Sequence, residues 1–189
     1  MTRVALPSKK WVLLNPGPVN VTDRVRRALL EPDICHREKE FLEVLADTRT
    51  KLTQVFGIDR THEAALFAGS GTLAVEAMLS SAGRAGHRIL VLSNGVYGER
   101  MREILKRHRL PHAFLGGEGI FFPTVEAVER TLGADQRAAG AHGRITAVAM
   151  VHHETSTGFL NPLEAVARLT KRRGLTLLVD AVSTLGAEK

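Results

Sequence analysis

The feature that most constrains the fold is an alternation of short apolar runs with helical segments along most of the chain. The apolar runs, such as residues 88–92, 145–151 and 175–179, are almost uninterrupted, which is typical of strands that are buried on both faces. Segments with helical periodicity separate them. This alternation predicts an α/β fold of three layers, in which helices cover both faces of a mostly parallel sheet.

Local patterns predict several further elements. A short strand is expected at residues 64–68, directly before a Gly-Ser-Gly-Thr turn and a helix. Apolar residues at four-three spacing predict that a helix over residues 41–55 buries one face. Asn161 is expected to cap the helix that opens at Pro162. Residues 134–143, which are rich in alanine, glycine and charge, are expected to form a surface loop.

Composition excludes several classes of protein. A chain of 189 residues can bury about 70% of the surface that it exposes when unfolded, so it needs no covalent staples. The single cysteine, Cys35, excludes a disulfide framework and a cysteine-based zinc site, and no motif supports it as a nucleophile. The net charge of +6 comes from scattered basic residues with only 5% aromatic residues, so no nucleic-acid interface is expected.

The chain shows no targeting or membrane segment. No apolar run approaches the roughly 20 residues that a membrane span requires, and the N-terminus lacks the apolar region of a secretory signal. We therefore expect a cytoplasmic protein that does not bind membranes.

The turn Gly69-Ser70-Gly71-Thr72 lies between a predicted strand and a predicted helix. Ligands bind at the carboxyl ends of parallel strands, and the free N–H groups of a helix N-terminus suit a phosphate. A tight turn in which Thr72 merely caps its helix is the alternative. The next strand carries no acid for a ribose, and the turn has no phosphate-loop lysine. A phosphate without a dinucleotide is the remaining functional interpretation.

Other predicted strand ends carry an acid, an aromatic ring and hydroxyl groups. Asp180 follows a buried run, where a carboxylate is costly unless it meets a donor or a cation. It forms either a structural salt bridge or a pair with a protonated ring nitrogen or a metal. Tyr97, the only tyrosine, is either a stacking platform or an ordinary surface or core residue.

The run His-His-Glu-Thr-Ser-Thr-Gly at residues 152–158 also follows a strand. Adjacent histidines in a strand point to opposite faces, so no metal site is expected. Hydroxyl donors toward a cofactor are favoured instead. A phosphate cradle, an aromatic platform, hydroxyl groups and a strand-end aspartate together fit pyridoxal 5′-phosphate (PLP), whose protonated ring nitrogen requires a carboxylate.

Five segments, in order, resemble the class V aminotransferases, which are PLP-dependent enzymes of fold type I. They are Leu-Asn-Pro-Gly-Pro at 14–18, Gly-Ser-Gly-Thr at 69–72, Ser-Asn-Gly-Val-Tyr-Gly-Glu-Arg at 93–100, His-Glu-Thr-Ser-Thr-Gly at 153–158 and Val-Asp-Ala-Val-Ser at 179–183. The resemblance extends over about residues 11–187.

The resemblance implies a role for particular residues. The phosphate would be bound by Ser70, Gly71 and Thr72. The cofactor ring would be contacted by Tyr97, which stacks on it, Thr155, which donates to its 3-oxygen, Asp180, which pairs with its nitrogen, and Val182, which packs beneath it. Pro16 and Gly17 would lie near the substrate entrance. His153 receives no role.

The resemblance also implies an activity, which is transfer of an amino group from 2-aminoethylphosphonate to pyruvate. Alternatives are a sibling transaminase acting on alanine, serine or glyoxylate, and a non-catalytic phosphate-binding remnant. The expected partners are a small-molecule amino donor and a 2-oxo acid, and the full-length family member is expected to be a homodimer.

The chain differs from the family in extent. Residues 1–20 correspond to an N-terminal arm and residues 21–189 to part of the PLP-binding large domain, while the small C-terminal domain has no counterpart. The family's Schiff-base lysine follows the aspartate by roughly two dozen residues. It would therefore lie beyond residue 189, so residues 1–189 alone are expected to lack transaminase activity.

Overall fold

The computed structural model describes residues 11–58, 60–83, 87–137 and 143–188. The chain forms two compact units, Met1–Ala68 and Gly69–Lys189. The first contains α1 (Asp23–Ala28) and α2 (Lys39–Val55). The second contains, in order, α3 (Gly71–Ala82), β1 (His87–Ser93), α4 (Val96–Arg107), β2 (His112–Gly116), α5 (Val125–Arg137), β3 (Arg144–Val151), β4 (His153–Glu154), β5 (Phe159–Leu160), α6 (Leu163–Arg172) and β6 (Thr176–Asp180).

Two expectations for the first unit were wrong. Residues 64–68 are irregular rather than a strand, because no strand in the described part of the chain pairs with them. The predicted apolar face of α2 is not buried, since Leu52 is 38% and Val55 is 73% exposed. An apolar face is buried only where another element packs on it, and Thr53 is the one buried described residue of α2.

The second unit is built on a parallel sheet of four strands in the order β2-β1-β3-β6. The strands β4 and β5 form a separate antiparallel pair. Parallel strands require crossovers, and the helices α4, α5 and α6 lie between successive strands of the chain. The predicted three-layer α/β fold with a mostly parallel sheet is confirmed.

Side chains on opposite faces of the sheet form two separate cores. Ile89, Val91 and Ala149 pack with residues of α3 and α4, including Leu79 and Met101. On the other face, Leu90, Leu92, Val148 and Met150 pack with Val128 of α5 and with Val166 and Leu169 of α6. Because successive strand residues point to opposite faces, strands buried on both sides need an apolar residue at nearly every position.

Asn161 does not cap α6, contrary to the expectation. The residue preceding α6 is Pro162, and it forms no side-chain capping bond. The buried amide of Asn161 instead donates 3.0 Å to Oδ1 of Asn94 and 2.8 Å to the carbonyl of Val151, and it accepts 2.9 Å from Nδ2 of Asn94. This amide pair links the end of β1 to the end of β3.

Replacement of Asn161 by alanine should lower the free energy of unfolding by about 3 kcal/mol, since it removes the amide that donates to the buried Oδ1 of Asn94 and to the Val151 carbonyl. Urea denaturation measures this change. Gln136→Ala, at an exposed position of α5, is the control and should change stability by less than about 0.5 kcal/mol. An Asn161→Ala variant as stable as this control would contradict the prediction.

The loop expected at residues 134–143 begins later, because α5 extends to Arg137. Residues 138–142 lie outside the described residues. Within the part that is described, none of the helices has both the length and the apolar character that crossing a bilayer requires.

Candidate functional site

The candidate residues lie where parallel strands end. Met150 of β3 is opposite Leu92 of β1 and Val179 of β6, and Val151 is opposite Asp180. The three strands therefore finish at one edge of the sheet. The segments that follow them are the start of α4, residues 152–158 and the turn after Asp180.

The start of α3 forms an open cradle of N–H groups. Ser70 is the N-cap residue, and its hydroxyl oxygen accepts a bond of 3.4 Å from the N–H of Leu73. Gly71 and Thr72 are the first helical residues, whose N–H groups have no partner within a helix. No described residue accepts from them. Ser70, and not Thr72, caps this helix, so the hydroxyl of Thr72 is not used for capping.

Val182 lies against this cradle. A methyl group on Gly71 would come within 2.8 Å of Cγ2 of Val182, so this close approach requires glycine. The helix α3 also contacts the strand β6, which precedes Val182. The loop after Asp180 is thereby held at the start of α3, where it brings the strand-end aspartate and the cradle together.

Asp180 is the last residue of β6 and is partly buried. One carboxylate oxygen accepts 3.1 Å from the N–H of Val182. Burial raises the pKa of Asp180, and the nearby charge of Glu154 raises it further, while the Val182 bond and Arg100 act in the opposite direction. None of the described residues forms a salt bridge with Asp180. The structural salt bridge considered as an alternative is not present among them.

Tyr97 lies in the first turn of α4, with its ring partly exposed. The guanidinium of Arg100, one turn later, is centred 5.0 Å from the centre of this ring. Arg100 also donates 3.2 Å to Oγ1 of Thr72. An arginine can only donate, so the Thr72 hydroxyl accepts here and keeps its proton for another acceptor. The sequence analysis missed Arg100, although its spacing of three from Tyr97 on a helix was a usable signal.

Thr155 lies in the turn of residues 155–158 between β4 and β5. Its hydroxyl has no hydrogen-bond partner among the described residues. Thr155 directly follows Glu154, whose buried carboxylate accepts from the N–H of Tyr97 at the start of α4 and from the N–H of Ser156. The sequence pattern assigned no role to Glu154, although this residue lies within the polar run of residues 152–158.

The two histidines of that run bond to neighbouring hydroxyl groups. Nδ1 of His152 is 3.0 Å from Oγ1 of Thr184, and Nδ1 of His153 is 3.2 Å from Oγ of Ser183, so both rings bond to one loop. His152 lies at a bend between β3 and β4 rather than inside a strand, so the alternation of side chains along a strand does not apply to this pair. Burial lowers the pKa of His152. Among the described residues, no three His, Cys, Asp or Glu side chains converge as metal ligands.

Pro16, Gly17 and Cys35 belong to the first unit. Pro16 and Gly17 lie in an irregular segment before α1, and their role near a substrate entrance stays a prediction. Cys35 is an exposed free thiol.

Comparison with known proteins gives consistent matches along this chain. The sequence model of the family described as aminotransferase class-V matches residues 25–189. A 2-aminoethylphosphonate–pyruvate transaminase of Pseudomonas aeruginosa is 39% identical over 176 residues, which are 93% of this chain and 45% of that relative. One of the same description from Salmonella paratyphi B is 37% identical over 183 residues, covering 96% and 47% of the two chains.

Solved structures agree. Pyridoxamine–pyruvate aminotransferase from Mesorhizobium loti superposes with a TM-score of 0.81 at 26% identity, covering 97% of this chain and 45% of that one. Alanine–glyoxylate aminotransferase from Nostoc sp. gives 0.81 at 29% identity, covering 98% and 46%. The chain thus spans about half the length of the relatives that it matches. On the family match over most of its residues, the chain belongs to the class V aminotransferases.

Proposed function

We propose that this chain forms the PLP-binding part of a transaminase that moves an amino group from 2-aminoethylphosphonate to pyruvate, which yields phosphonoacetaldehyde and L-alanine. The observation that carries the proposal is the arrangement, at one sheet edge, of an open helix N-terminus, an aromatic ring and a carboxylate that forms no salt bridge with a described residue. The relatives at 37–39% identity that are described by this reaction support the choice of substrates.

The residues present fit PLP. The N–H groups of Gly71 and Thr72, with the hydroxyl groups of Ser70 and Thr72, would hold its phosphate at the positive end of α3. Val182 closes one side of this cradle. When bound, the cofactor supplies an electron sink for the carbon that carries the amino group.

Asp180 would keep a proton on the ring nitrogen of the cofactor. The carboxylate is partly buried and forms no salt bridge with a described residue, and burial raises its pKa. A cation placed against it would stabilise the ionised form and would itself retain its proton. We therefore propose that this carboxylate pairs with a cationic ring and does not form a structural ion pair.

The remaining proposed roles concern orientation. The ring of Tyr97 would stack on one face of the cofactor, and the Thr155 hydroxyl would donate to the 3-oxygen. Val182 would pack beneath the ring, and Pro16 and Gly17 would border the substrate entrance. Lys106 pairs with Glu103 on α4 and Lys171 lies in the last turn of α6, so we propose a Schiff-base role for neither.

The organisation of the intact protein follows the family. We propose an N-terminal arm over residues 1–20, a PLP-binding large domain that includes residues 21–189, a homodimeric assembly and a cytoplasmic location. A small-molecule amino donor and a 2-oxo acid are the proposed partners.

An assay of the intact protein tests the proposed reaction. Formation of L-alanine from 2-aminoethylphosphonate and pyruvate is measured beside a panel that pairs alanine with glyoxylate, serine with pyruvate, and pyridoxamine with pyruvate. Faster turnover with 2-aminoethylphosphonate than with every other donor is the expected result. Preference for another pair would overturn the substrate assignment, and PLP-independent activity would overturn the cofactor assignment.

Replacement of Thr72 by valine should weaken binding of both PLP and inorganic phosphate by about tenfold, because it removes one hydroxyl donor from the cradle without changing its shape. Isothermal titration calorimetry measures both affinities. Thr131→Val, which removes a hydroxyl bonded to the Ala127 carbonyl within α5, is the matched control. Unchanged phosphate affinity in Thr72→Val would place the phosphate elsewhere.

A further inference from the structure

Glu154 is a fully buried carboxylate with no salt-bridge partner among the described residues. Four hydrogen bonds stabilise it instead. One oxygen accepts from the N–H groups of Tyr97 and Gly98, at 3.1 and 3.2 Å. The other accepts from the N–H and the hydroxyl of Ser156, at 3.3 and 2.5 Å. A buried carboxylate is costly unless both of its oxygens accept hydrogen bonds, and these four donors meet that requirement.

Together with a bond to Ser156, these bonds satisfy the N–H groups at the start of α4. The N–H of Val96 donates 3.0 Å to Oγ of Ser156, and the next two N–H groups donate to Glu154. Three successive donors are therefore satisfied within the protein. The start of α3, in contrast, keeps its first N–H groups without a described acceptor. A phosphate can use α3 but not α4, so α4 serves to place Tyr97.

Glu154 also organises the turn that carries Thr155. Its backbone carbonyl accepts from the N–H groups of Thr157 and Gly158, at 3.1 and 2.8 Å. One residue thus holds the start of α4 through its side chain and the turn of residues 155–158 through both side chain and backbone. The distance from the Tyr97 ring to the Thr155 hydroxyl depends on this connection.

We propose that Glu154 is a positioning residue that sets the Tyr97 ring against the cofactor ring, with Ser156 as its auxiliary. The inference rests on the proposed function, because it takes Tyr97 as the stacking platform. The carboxylate acts through Tyr97 and does not itself touch the phosphate. Its loss should therefore weaken recognition of the cofactor ring and leave recognition of the phosphate group intact.

Glu154→Gln is the informative substitution, since glutamine keeps the shape but has one acceptor oxygen. Its amide nitrogen would meet the N–H of Ser156, which is donor against donor. We expect PLP affinity to fall about tenfold while inorganic phosphate affinity changes less than about twofold. Glu164→Gln, the same chemical change at an exposed position of α6, should alter neither affinity.

A double-mutant cycle shows whether Glu154 acts through Tyr97. In a Tyr97→Leu background, Glu154→Gln should no longer weaken PLP binding. Because Tyr97 is the only tyrosine of the chain, 3-fluorotyrosine labelling gives a single ¹⁹F resonance. That resonance should move on addition of PLP in the wild type and move less in Glu154→Gln.

The outcomes separate this inference from the proposed function. If the wild-type chain binds PLP no more tightly than inorganic phosphate, the proposed function fails. If it prefers PLP and Glu154→Gln keeps that preference, or loses both affinities equally, the positioning role is overturned. Additive effects in the cycle also overturn it.

If Glu154→Gln does not fold, the Ser156→Ala variant tests the positioning role of Glu154 instead. It removes the hydroxyl that bonds both Glu154 and Val96, and it should lower PLP affinity severalfold without affecting phosphate. Failure of both variants to fold would show that the carboxylate serves stability alone and would overturn the proposal.

Discussion

Replacement of Asp180 by asparagine should reduce transaminase turnover of the intact protein by about 1000-fold, within the range known for loss of a preorganised electrostatic group. An amide of the same shape carries no charge, so it cannot keep a proton on the ring nitrogen of the cofactor. Initial rates of L-alanine formation measure the effect. Inorganic phosphate affinity should stay unchanged, because the cradle at the start of α3 is not altered.

The same variant should be more stable than the wild type in neutral solution without cofactor. Burial raises the pKa of Asp180 in the fold, so the folded state binds this proton more tightly than the unfolded state does. The pH window begins at about 4, the ordinary pKa of an aspartate carboxyl, and ends above the raised pKa of Asp180 in the folded state. As the pH rises through this window, ionisation of Asp180 destabilises the fold. Below that window the two proteins should be equally stable.

Urea denaturation across this pH range gives the difference directly. Asp47→Asn, at an exposed position of α2, is the control. It removes only an exposed ion pair with Lys51, so its stability should change with pH as that of the wild type does. Near-normal turnover in Asp180→Asn, or a wild type that gains stability over the variant as pH rises, would contradict the assignment of Asp180.

Replacement of Gly95 by alanine should lower the free energy of unfolding by about 4 kcal/mol, through overpacking and through lost bonds to buried donors. A methyl group there would lie 2.4 Å from Cγ and 2.5 Å from Cδ of Glu154, and 2.6 Å from Oγ of Ser156. Glu154 is fully buried, so any displacement of its side chain would disturb the close packing around it. Its displacement would leave the N–H groups of Tyr97 and Gly98 without an acceptor.

Gly116→Ala is the matched control for this substitution. Its methyl group would meet only the Phe114 ring, at 3.3 Å, where a small shift suffices. Thermal and urea unfolding of both variants measure the contrast, and the control should lose about 1 kcal/mol or less. Equal stability of Gly95→Ala and Gly116→Ala would show that Glu154 is not tightly held by the start of α4.

Much of the sheet was predictable from the sequence. Strands buried on both faces need apolar residues almost continuously, and the runs at residues 88–92, 145–151 and 175–179 have them. The place of Ser70, Gly71 and Thr72 at a helix start was also predictable, because a glycine-rich turn followed by a helical pattern is a local signal.

The errors have one origin. The run at residues 64–68 has the composition of a strand, but a strand also needs a neighbour to pair with, and composition does not show one. The α2 pattern has the spacing of a buried face, yet burial depends on what packs there. Asn161 has the sequence position of a cap, while its amide bonds Asn94, which lies 67 residues away.

The sequence by itself therefore determined the layers, the sheet and the strand-end residues Asp180 and Thr155, since each follows from patterns within a few neighbouring residues. Tertiary structure alone decided that Glu154 bonds the N–H of Tyr97 across 57 residues, that Arg100 reaches Thr72, and that Val182 packs on Gly71. The physical reason is that periodicity and turn chemistry reflect local backbone geometry. Which distant groups satisfy a buried carboxylate depends on the folded arrangement of the whole unit.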